Sequence, residues 1–213
     1  VVDPHLSVDH VSGFGNPGYV YLTVAWSERA RADCIQLEDQ VSPKRCGHFN
    51  GKEVIEASEM IGKIKAACDA RRNSDTIIMA RTDAAAIHGF DAAVERAQQY
   101  AEAGADLLFV EAVTSAEHIA ALPQRLKTPQ LMNMVIGGKT PITSTEELAK
   151  MGYGIVLYAN AALQGAVAGM QRALGVLKNE GHIQEDPNLV APFAERQRLV
   201  NKPIWDALEK KYQ

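Results

Sequence analysis

Short apolar segments alternate with longer amphipathic ones along this 213-residue chain, and this alternation constrains its fold more than any other feature. The apolar runs are rich in Ile, Leu and Val, as parallel strands covered on both faces are. Strands are predicted at residues 34–38, 76–81, 107–111, 130–133 and 155–158, with a weaker candidate at 6–9. Such strand–helix alternation predicts an α/β fold with a parallel sheet.

The segments between the strands carry helical signals. Apolar spacing predicts helices over residues 60–71, 91–103, 161–180 and about 190–212. Ser144 and Glu147 form a capping-box pattern that predicts the start of one more helix. The last helical region is expected to bend or break near Pro203.

Polar residues at the ends of the predicted strands decide between the possible sheet types. They are Asp9, Glu38, Arg81, Glu111 and Asn133. In a closed parallel barrel the carboxyl ends of all strands converge on one mouth, where the active site forms. No G-x-G-x-x-G or G-x-x-x-x-G-K-[ST] loop follows any strand, so a doubly wound nucleotide-binding sheet has no support.

We therefore predict a (β/α)₈ barrel of the TIM type over residues 1–180, with a C-terminal helical extension over residues 181–213. A complete barrel needs roughly 250 residues, and only six strands can be identified here. Either the barrel is truncated at its N-terminus, or the sequence is incomplete.

Composition narrows the classes of partner. The formal net charge is −4 and no cluster of Lys and Arg stands out, so nucleic acid is not an expected partner. No apolar run approaches the roughly 20 residues of a membrane span, and no signal-peptide pattern is evident. Three irregularly spaced cysteines, Cys34, Cys46 and Cys68, argue against a disulfide framework. A cytoplasmic protein is predicted.

The loop after the second predicted strand concentrates reactive side chains. Lys44, Arg45, Cys46, Gly47 and His48 follow one another directly. Nearby cations lower the pKa of a thiol, and glycine lets the backbone approach a ligand closely. The loop could therefore carry an acid/base cysteine that faces an anionic substrate. The alternative is a solvated surface loop that happens to contain a thiol.

This loop, together with other motifs in order, resembles the isocitrate lyase / phosphoenolpyruvate mutase superfamily. The matching segments are residues 37–40, 44–48, 79–84, 103–106, 111–112, 133–135 and 137–141. The resemblance implies an enzyme that depends on Mg²⁺ or Mn²⁺ and acts on small 2-oxo or 2-hydroxy dicarboxylates. The Lys-x-Cys-Gly-His loop favours a carbon–carbon lyase over the mutases and hydrolases that act on phosphonopyruvate.

The resemblance also implies roles for individual residues. Cys46 would transfer the proton during carbon–carbon cleavage, with Lys44 and His48 beside it in the catalytic loop. The substrate would be bound by Gly47, Arg81, Glu111, Asn133, Met134 and Val135. Judged from its residue type alone, Arg81 could equally form a structural ion pair with Asp83 or Glu111.

The implied metal ligands are Asp9 and Glu38. Here the sequence departs from the pattern of relatives, which carry Asp-x-Asp-Thr-Gly-Tyr-Gly, because Val11 stands at the second aspartate position. Carboxylates hold Mg²⁺ and its waters, so the loss of one should weaken the site. His10 is a softer ligand expected to point off the other face of the strand, and it is not taken as a replacement.

The resemblance favours one substrate class. Relatives that cleave 2-methylisocitrate carry Arg where Gln164 stands. The predicted substrate is therefore a substituted malate, of the 2-alkylmalate or 2,3-dimethylmalate type. The predicted products are pyruvate or a related 2-oxo acid, plus a carboxylate. Met134 counts against oxaloacetate hydrolysis. The alternatives within the superfamily are a 2-methylisocitrate lyase, an oxaloacetate hydrolase and a carboxyphosphonoenolpyruvate mutase.

An alternative of another class is a non-catalytic barrel relative, which Val11 would favour. Under either reading the partners are a small di- or tricarboxylate and further copies of the chain. Apolar residues in the C-terminal region, such as Phe193, Ile204 and Trp205, predict an interface. By resemblance, the C-terminal helices would be exchanged between subunits of a homotetramer built as a dimer of dimers.

Overall fold

The computed structural model describes residues 5–45 and 51–213. The described residues from 5 to 159 form one compact unit, and residues 160–213 belong to a second. The first unit contains β1 (Ser7–Asp9), α1 (Pro17–Arg29), β2 (Cys34–Glu38), α2 (Ala57–Ala70), β3 (Ile77–Thr82), α3 (Ala85–His88), α4 (Phe90–Glu102), β4 (Leu107–Val110), α5 (Ala116–Arg125), β5 (Gln130–Asn133), α6 (Thr145–Met151) and β6 (Ile155–Leu157). The second contains α7 (Ala161–Glu180), α8 (Phe193–Leu199) and α9 (Lys202–Tyr212).

The strands of the first unit form one parallel sheet in the order β1-β2-β3-β4-β5-β6. Each strand pairs with the next one in the chain, so the strand order never reverses. A doubly wound sheet would reverse at a switch point, whereas sequential parallel strands with intervening helices are the arrangement of a (β/α) barrel. The predicted barrel-type α/β fold is confirmed.

Side chains on the two faces of the sheet have different surroundings, because successive residues of a strand point to opposite faces. One face, which includes Ile35, Ile78 and Leu108, shares the main hydrophobic core with residues of the helices. The opposite face carries a smaller apolar cluster of Cys34, Met79, Leu107, Phe109 and Leu131. Glu38, Arg81, Glu111 and Asn133 continue this second face by the same alternation, at the carboxyl ends of the strands.

Local signals explain where the helices begin. Asn16 caps α1, because its Oδ1 accepts a hydrogen bond from the Gly18 N–H at 3.0 Å. The predicted capping box at Ser144 and Glu147 is present at the start of α6. Helix α7 has the predicted bounds, and Pro203 lies in the first turn of α9 rather than inside a continuous helix.

One buried carboxylate ties several elements of the first unit together. Asp39 follows β2 and is fully buried. Its Oδ2 accepts hydrogen bonds from the hydroxyls of Thr82 (2.7 Å) and Tyr100 (2.8 Å), and its Oδ1 accepts one from the Asp83 N–H (3.0 Å). Burial raises the pKa of the Asp39 carboxyl, and these donors oppose that shift. The network joins β2, β3 and α4.

In the part of the chain that the structure describes, no helix has both the length and the apolar character needed to cross a membrane.

The Asp39 network predicts the effect of removing a single hydroxyl. Tyr100→Phe should lower the free energy of unfolding by about 1–3 kcal/mol, because a buried carboxylate oxygen loses a donor. Tyr158→Phe is the matched control, since its hydroxyl contacts Thr145 on an exposed surface. Urea denaturation of both variants and wild type measures the difference. Equal losses for the two variants would contradict a stabilising role for the buried network.

Candidate active site at the carboxyl ends of the strands

The polar residues predicted to surround one mouth are linked by a series of contacts, in which Lys44 joins Asp9 to Glu38. Asp9, Glu38 and Asn133 end their strands, Arg81 lies one residue before the end of β3, and Glu111 directly follows β4. In the sheet register Glu38 lies beside Arg81. The described residues therefore bring these side chains together, as the sequence predicted.

Arg81 is the centre of this cluster. Its Nε donates to Asp83 Oδ2 at 2.9 Å and its Nη2 to Asp83 Oδ1 at 3.2 Å. The same guanidinium lies 3.4 Å from Glu38 Oε2 and 3.4 Å from Glu111 Oε2. Burial opposes the charged form, but Asp83 and the other carboxylates outweigh it and raise the pKa of Arg81. The structural ion pairs considered for Arg81 are both present.

A buried lysine adds to this charge network. Lys52 Nζ lies 3.0 Å from Asp83 Oδ1, and both side chains are almost fully buried. Burial raises the pKa of Asp83, but Arg81 and Lys52 together hold it below its ordinary value. Sequence reasoning did not single out Lys52. The available signal was the position of its partner Asp83, two residues after Arg81. Residues two apart in an extended segment lie on the same face.

Glu38 has the side chain best placed to bind an ion. The side chain is fully buried, and its Oε2 contacts Lys44 Nζ at 3.2 Å. Its Oε1 is buried and has no hydrogen-bond partner among residues 5–45 and 51–213. Burial raises the pKa of Glu38, while Arg81 and Lys44 oppose the shift. An unsatisfied buried carboxylate oxygen is costly and calls for an explanation such as a bound ion.

The donor set of Asp9 and Glu38 suits a hard cation that keeps water ligands. Mg²⁺ is commonly held by one or two carboxylates, with water and substrate oxygens in the remaining positions. Within residues 5–45 and 51–213, no group of three or more His, Cys, Asp and Glu side chains is arranged to hold a metal. Two carboxylates and the unsatisfied oxygen of Glu38 therefore fit Mg²⁺ or Mn²⁺ better than a metal that needs a complete protein cage.

Val11, in the loop that follows β1, has an unusual backbone conformation. Its φ is +55°, in the left-handed region that β-branched residues rarely adopt. Its N–H donates to Asp9 Oδ1 at 2.9 Å, and its carbonyl accepts from the Glu38 N–H at 2.7 Å. The backbone therefore fixes Asp9 relative to Glu38. The His10 ring instead lies 2.6 Å from the Ser27 hydroxyl of α1, consistent with its omission from the metal ligands.

The predicted catalytic loop is described only up to Arg45; Cys46, Gly47 and His48 lie outside the described residues. Gln40 holds the last described part of the loop. Its Oε1 accepts from the Arg45 N–H at 3.0 Å, and its Nε2 donates to the Arg45 carbonyl at 3.0 Å. Gln40 was missed by sequence reasoning, although it directly follows the acidic strand end.

The remaining predicted substrate ligands lie at and after the end of β5. Asn133 Nδ2 donates to Glu111 Oε2 at 3.3 Å, while its buried Oδ1 has no partner among the residues that the structure describes. The Met134 side chain is fully buried in the main core, so only its main chain could reach a ligand. Val135 is half-buried.

Comparison with known proteins identifies the family. Residues 1–177 match the phosphoenolpyruvate phosphomutase family. The chain belongs to this family. It is 45% identical over 204 residues to a 2,3-dimethylmalate lyase of Eubacterium barkeri, covering 96% of this chain and 71% of that relative. It is 44% identical over 181 residues to a 2-methylisocitrate lyase of Aeropyrum pernix, covering 85% of this chain but only 58% of that relative.

Solved structures agree with this assignment. A crystal structure of a 2,3-dimethylmalate lyase, described as a PEP mutase/isocitrate lyase superfamily member, matches with a TM-score of 0.85 at 35% identity, over 94% of this chain and 68% of that one. A phosphonopyruvate hydrolase in complex with oxalate and Mg²⁺ matches with a TM-score of 0.84 at 29% identity, over 99% of this chain and 74% of that one. The superfamily inferred from the sequence motifs is confirmed.

The backbone at Val11 predicts a stabilising substitution. Val11→Asn should raise the free energy of unfolding by about 1 kcal/mol, because Asn tolerates the left-handed region that valine resists. Val41→Asn is the control, since Val41 is partly exposed and does not have a positive φ. Thermal and urea denaturation measure both. A loss of stability in Val11→Asn as large as that in Val41→Asn would show that the loop is not strained.

Proposed function

We propose that this chain is a divalent-metal-dependent carbon–carbon lyase that cleaves a substituted malate to pyruvate, or a related 2-oxo acid, and a carboxylate. The observation that carries the proposal is a series of contacts at the carboxyl ends of the strands. It runs from Asp9 through Lys44, Glu38, Arg81 and Glu111 to Asn133. Identity of 45% to a 2,3-dimethylmalate lyase supports the substrate class.

Asp9 and Glu38 would hold Mg²⁺ or Mn²⁺. The unsatisfied Glu38 Oε1 supports this role, as does the structural neighbour described with Mg²⁺. When bound, the cation would polarise the 2-oxygen and the neighbouring carboxylate of the substrate. The protein's own part is to fix the two carboxylates. The Val11 backbone does so by bonding to Asp9 and Glu38 at once.

Substrate binding would fall to Arg81, Glu111, Asn133 and the main chain of Met134 and Val135. A planar guanidinium suits a substrate carboxylate, and Arg81 keeps part of its side chain accessible. The Asn133 amide is pre-oriented by its hydrogen bond to Glu111. Such side chains, fixed by neighbours before the substrate arrives, reduce the entropy cost of binding.

Cys46 would donate the proton to carbon 3 of the malate as the bond between carbons 2 and 3 breaks. Lys44 and His48 would stabilise the thiolate that this proton transfer leaves, and Gly47 would contact the substrate. The two cysteines that the structure describes are poorer candidates, because burial raises the pKa of both Cys34 and Cys68.

Assembly and location complete the proposal. Helices α7, α8 and α9 leave large apolar side chains exposed, among them Leu174, Phe193 and Trp205. Such surfaces mark interfaces. We propose a homotetramer, a dimer of dimers, in which a C-terminal helical region beyond residue 180 is exchanged between subunits. We also propose a cytoplasmic location, because three irregularly spaced cysteines fit a reducing compartment.

The proton-transfer role is tested by replacing single cysteines. Cys46→Ser should lower kcat on 2,3-dimethylmalate with Mg²⁺ by roughly 10²–10⁴-fold, because a hydroxyl is too weak an acid to replace the thiol. Cys68→Ser is the matched control and should keep wild-type activity. Pyruvate release, followed through a coupled dehydrogenase, gives both rates. Retention of more than about a tenth of wild-type kcat in Cys46→Ser would refute the mechanism. If wild type itself released no pyruvate, the non-catalytic alternative that Val11 suggests would be favoured.

The substrate class is tested at Gln164. Gln164→Arg should raise kcat/KM on 2-methylisocitrate relative to 2,3-dimethylmalate by at least about tenfold, because the third carboxylate gains a charge-assisted bond worth roughly 1.5–3 kcal/mol. Gln171→Arg, in the same helix α7, adds the same charge elsewhere and should leave the ratio unchanged. An equal response of the two variants would mean that position 164 does not select the substrate.

A further inference from the structure

Lys44 stands between the two carboxylates assigned to the metal. Its Nζ lies 3.4 Å from Asp9 Oδ2 and 3.2 Å from Glu38 Oε2. The lysine side chain is about one third exposed, whereas Glu38 is fully buried. A partly exposed cation therefore contacts a buried anion.

The contacts of this ammonium leave the carboxylate pair only partly satisfied. It contacts one oxygen of Glu38 and one of Asp9. Glu38 Oε1 has no partner in the part of the chain that the structure describes, and Asp9 Oδ1 accepts from the Val11 N–H. Arg81 cannot neutralise Glu38 alone, because its two strongest hydrogen bonds go to Asp83. A single positive charge thus stands where a divalent cation would satisfy more oxygens.

We propose that the Lys44 ammonium is a built-in counter-ion that takes the place of the divalent cation between Asp9 and Glu38, so that lysine and metal exclude each other there. This inference rests on the proposed function, from which it takes the metal ligands. The ammonium of Lys44 and a divalent cation cannot both contact the same oxygens of Asp9 and Glu38. At that distance in a partly buried site, the repulsion between the two positive charges is large.

The exclusion has a direct consequence for the lysine. Metal uptake displaces the ammonium from Glu38 and Asp9 and returns it to solvent or to an incoming anion. Because Lys44 precedes Cys46 by two residues, the freed charge is carried by the same loop as the proposed proton donor. The lysine also lowers the apparent metal affinity, since every metal ion that binds must first break two ion pairs.

Metal binding without turnover tests the inference. The concentration of free Mn²⁺, measured by electron paramagnetic resonance, gives the Kd of wild type, Lys44→Met, Lys44→Gln and Lys150→Met. Both Lys44 variants should bind Mn²⁺ at least about tenfold more tightly than wild type, because no like charge competes. Lys150→Met should match wild type, since Lys150 pairs with Glu146 on the exposed surface of α6.

Each other outcome overturns the inference in a distinguishable way. Wild type that binds Mn²⁺ with the same Kd as the Lys44 variants, or more tightly, refutes the exclusion and leaves the proposed metal site standing. A lack of Mn²⁺ binding in all four proteins refutes both the metal site and the exclusion.

Lysine footprinting gives a second readout that does not depend on a variant. Acetylation of wild type with an N-hydroxysuccinimide ester, followed by mass spectrometry, should modify Lys44 faster when Mn²⁺ is present, and Lys150 at an unchanged rate. Equal or slower modification of Lys44 at saturating Mn²⁺ would show that the ammonium stays in place, and the inference would be wrong.

Discussion

The guanidinium of Arg81 is the interaction on which the rest of the site depends. Glu38, Asp83 and Glu111 come from the ends of three neighbouring strands, and all three carboxylates are nearly inaccessible to solvent. Without a cation among them their repulsion would force the strand ends apart. Removing one partner of a buried ion pair typically costs about 3–5 kcal/mol. Arg81 therefore acts as a structural cation even if it also binds substrate. A loss of activity in an Arg81 variant can come from a loss of stability, so both have to be measured.

The strands, the α7 bounds and the polar strand ends followed from the sequence because they depend on local periodicity and on a general property of parallel sheets. The contacts of Lys52 with Asp83 and of Tyr100 with Asp39 did not. They join residues 31 and 61 positions apart, and no local pattern records such a distance. Helices α1 and α5 were also not named in advance. The mouth could be predicted as a set of residues, whereas the network that holds it required the structure.

The missing carboxylate at position 11 and the ammonium of Lys44 belong together electrostatically. A second aspartate in this loop would place one more negative charge beside Asp9, and a monovalent ammonium would match it poorly. With valine there, Lys44 contacts both remaining carboxylates. With valine rather than a second aspartate there, the ammonium balances fewer negative charges. Under the proposed exclusion, the metal affinity of this chain would depend on Lys44 as well as on Asp9 and Glu38.

The left-handed backbone at Val11 has a consequence for how easily this position could change. The loop adopts a conformation that suits asparagine, aspartate or glycine better than the valine that it carries. Valine and aspartate codons can differ by a single base, so one mutation can place an acid here. A more stable loop and an added carboxylate beside Asp9 would then result from the same substitution.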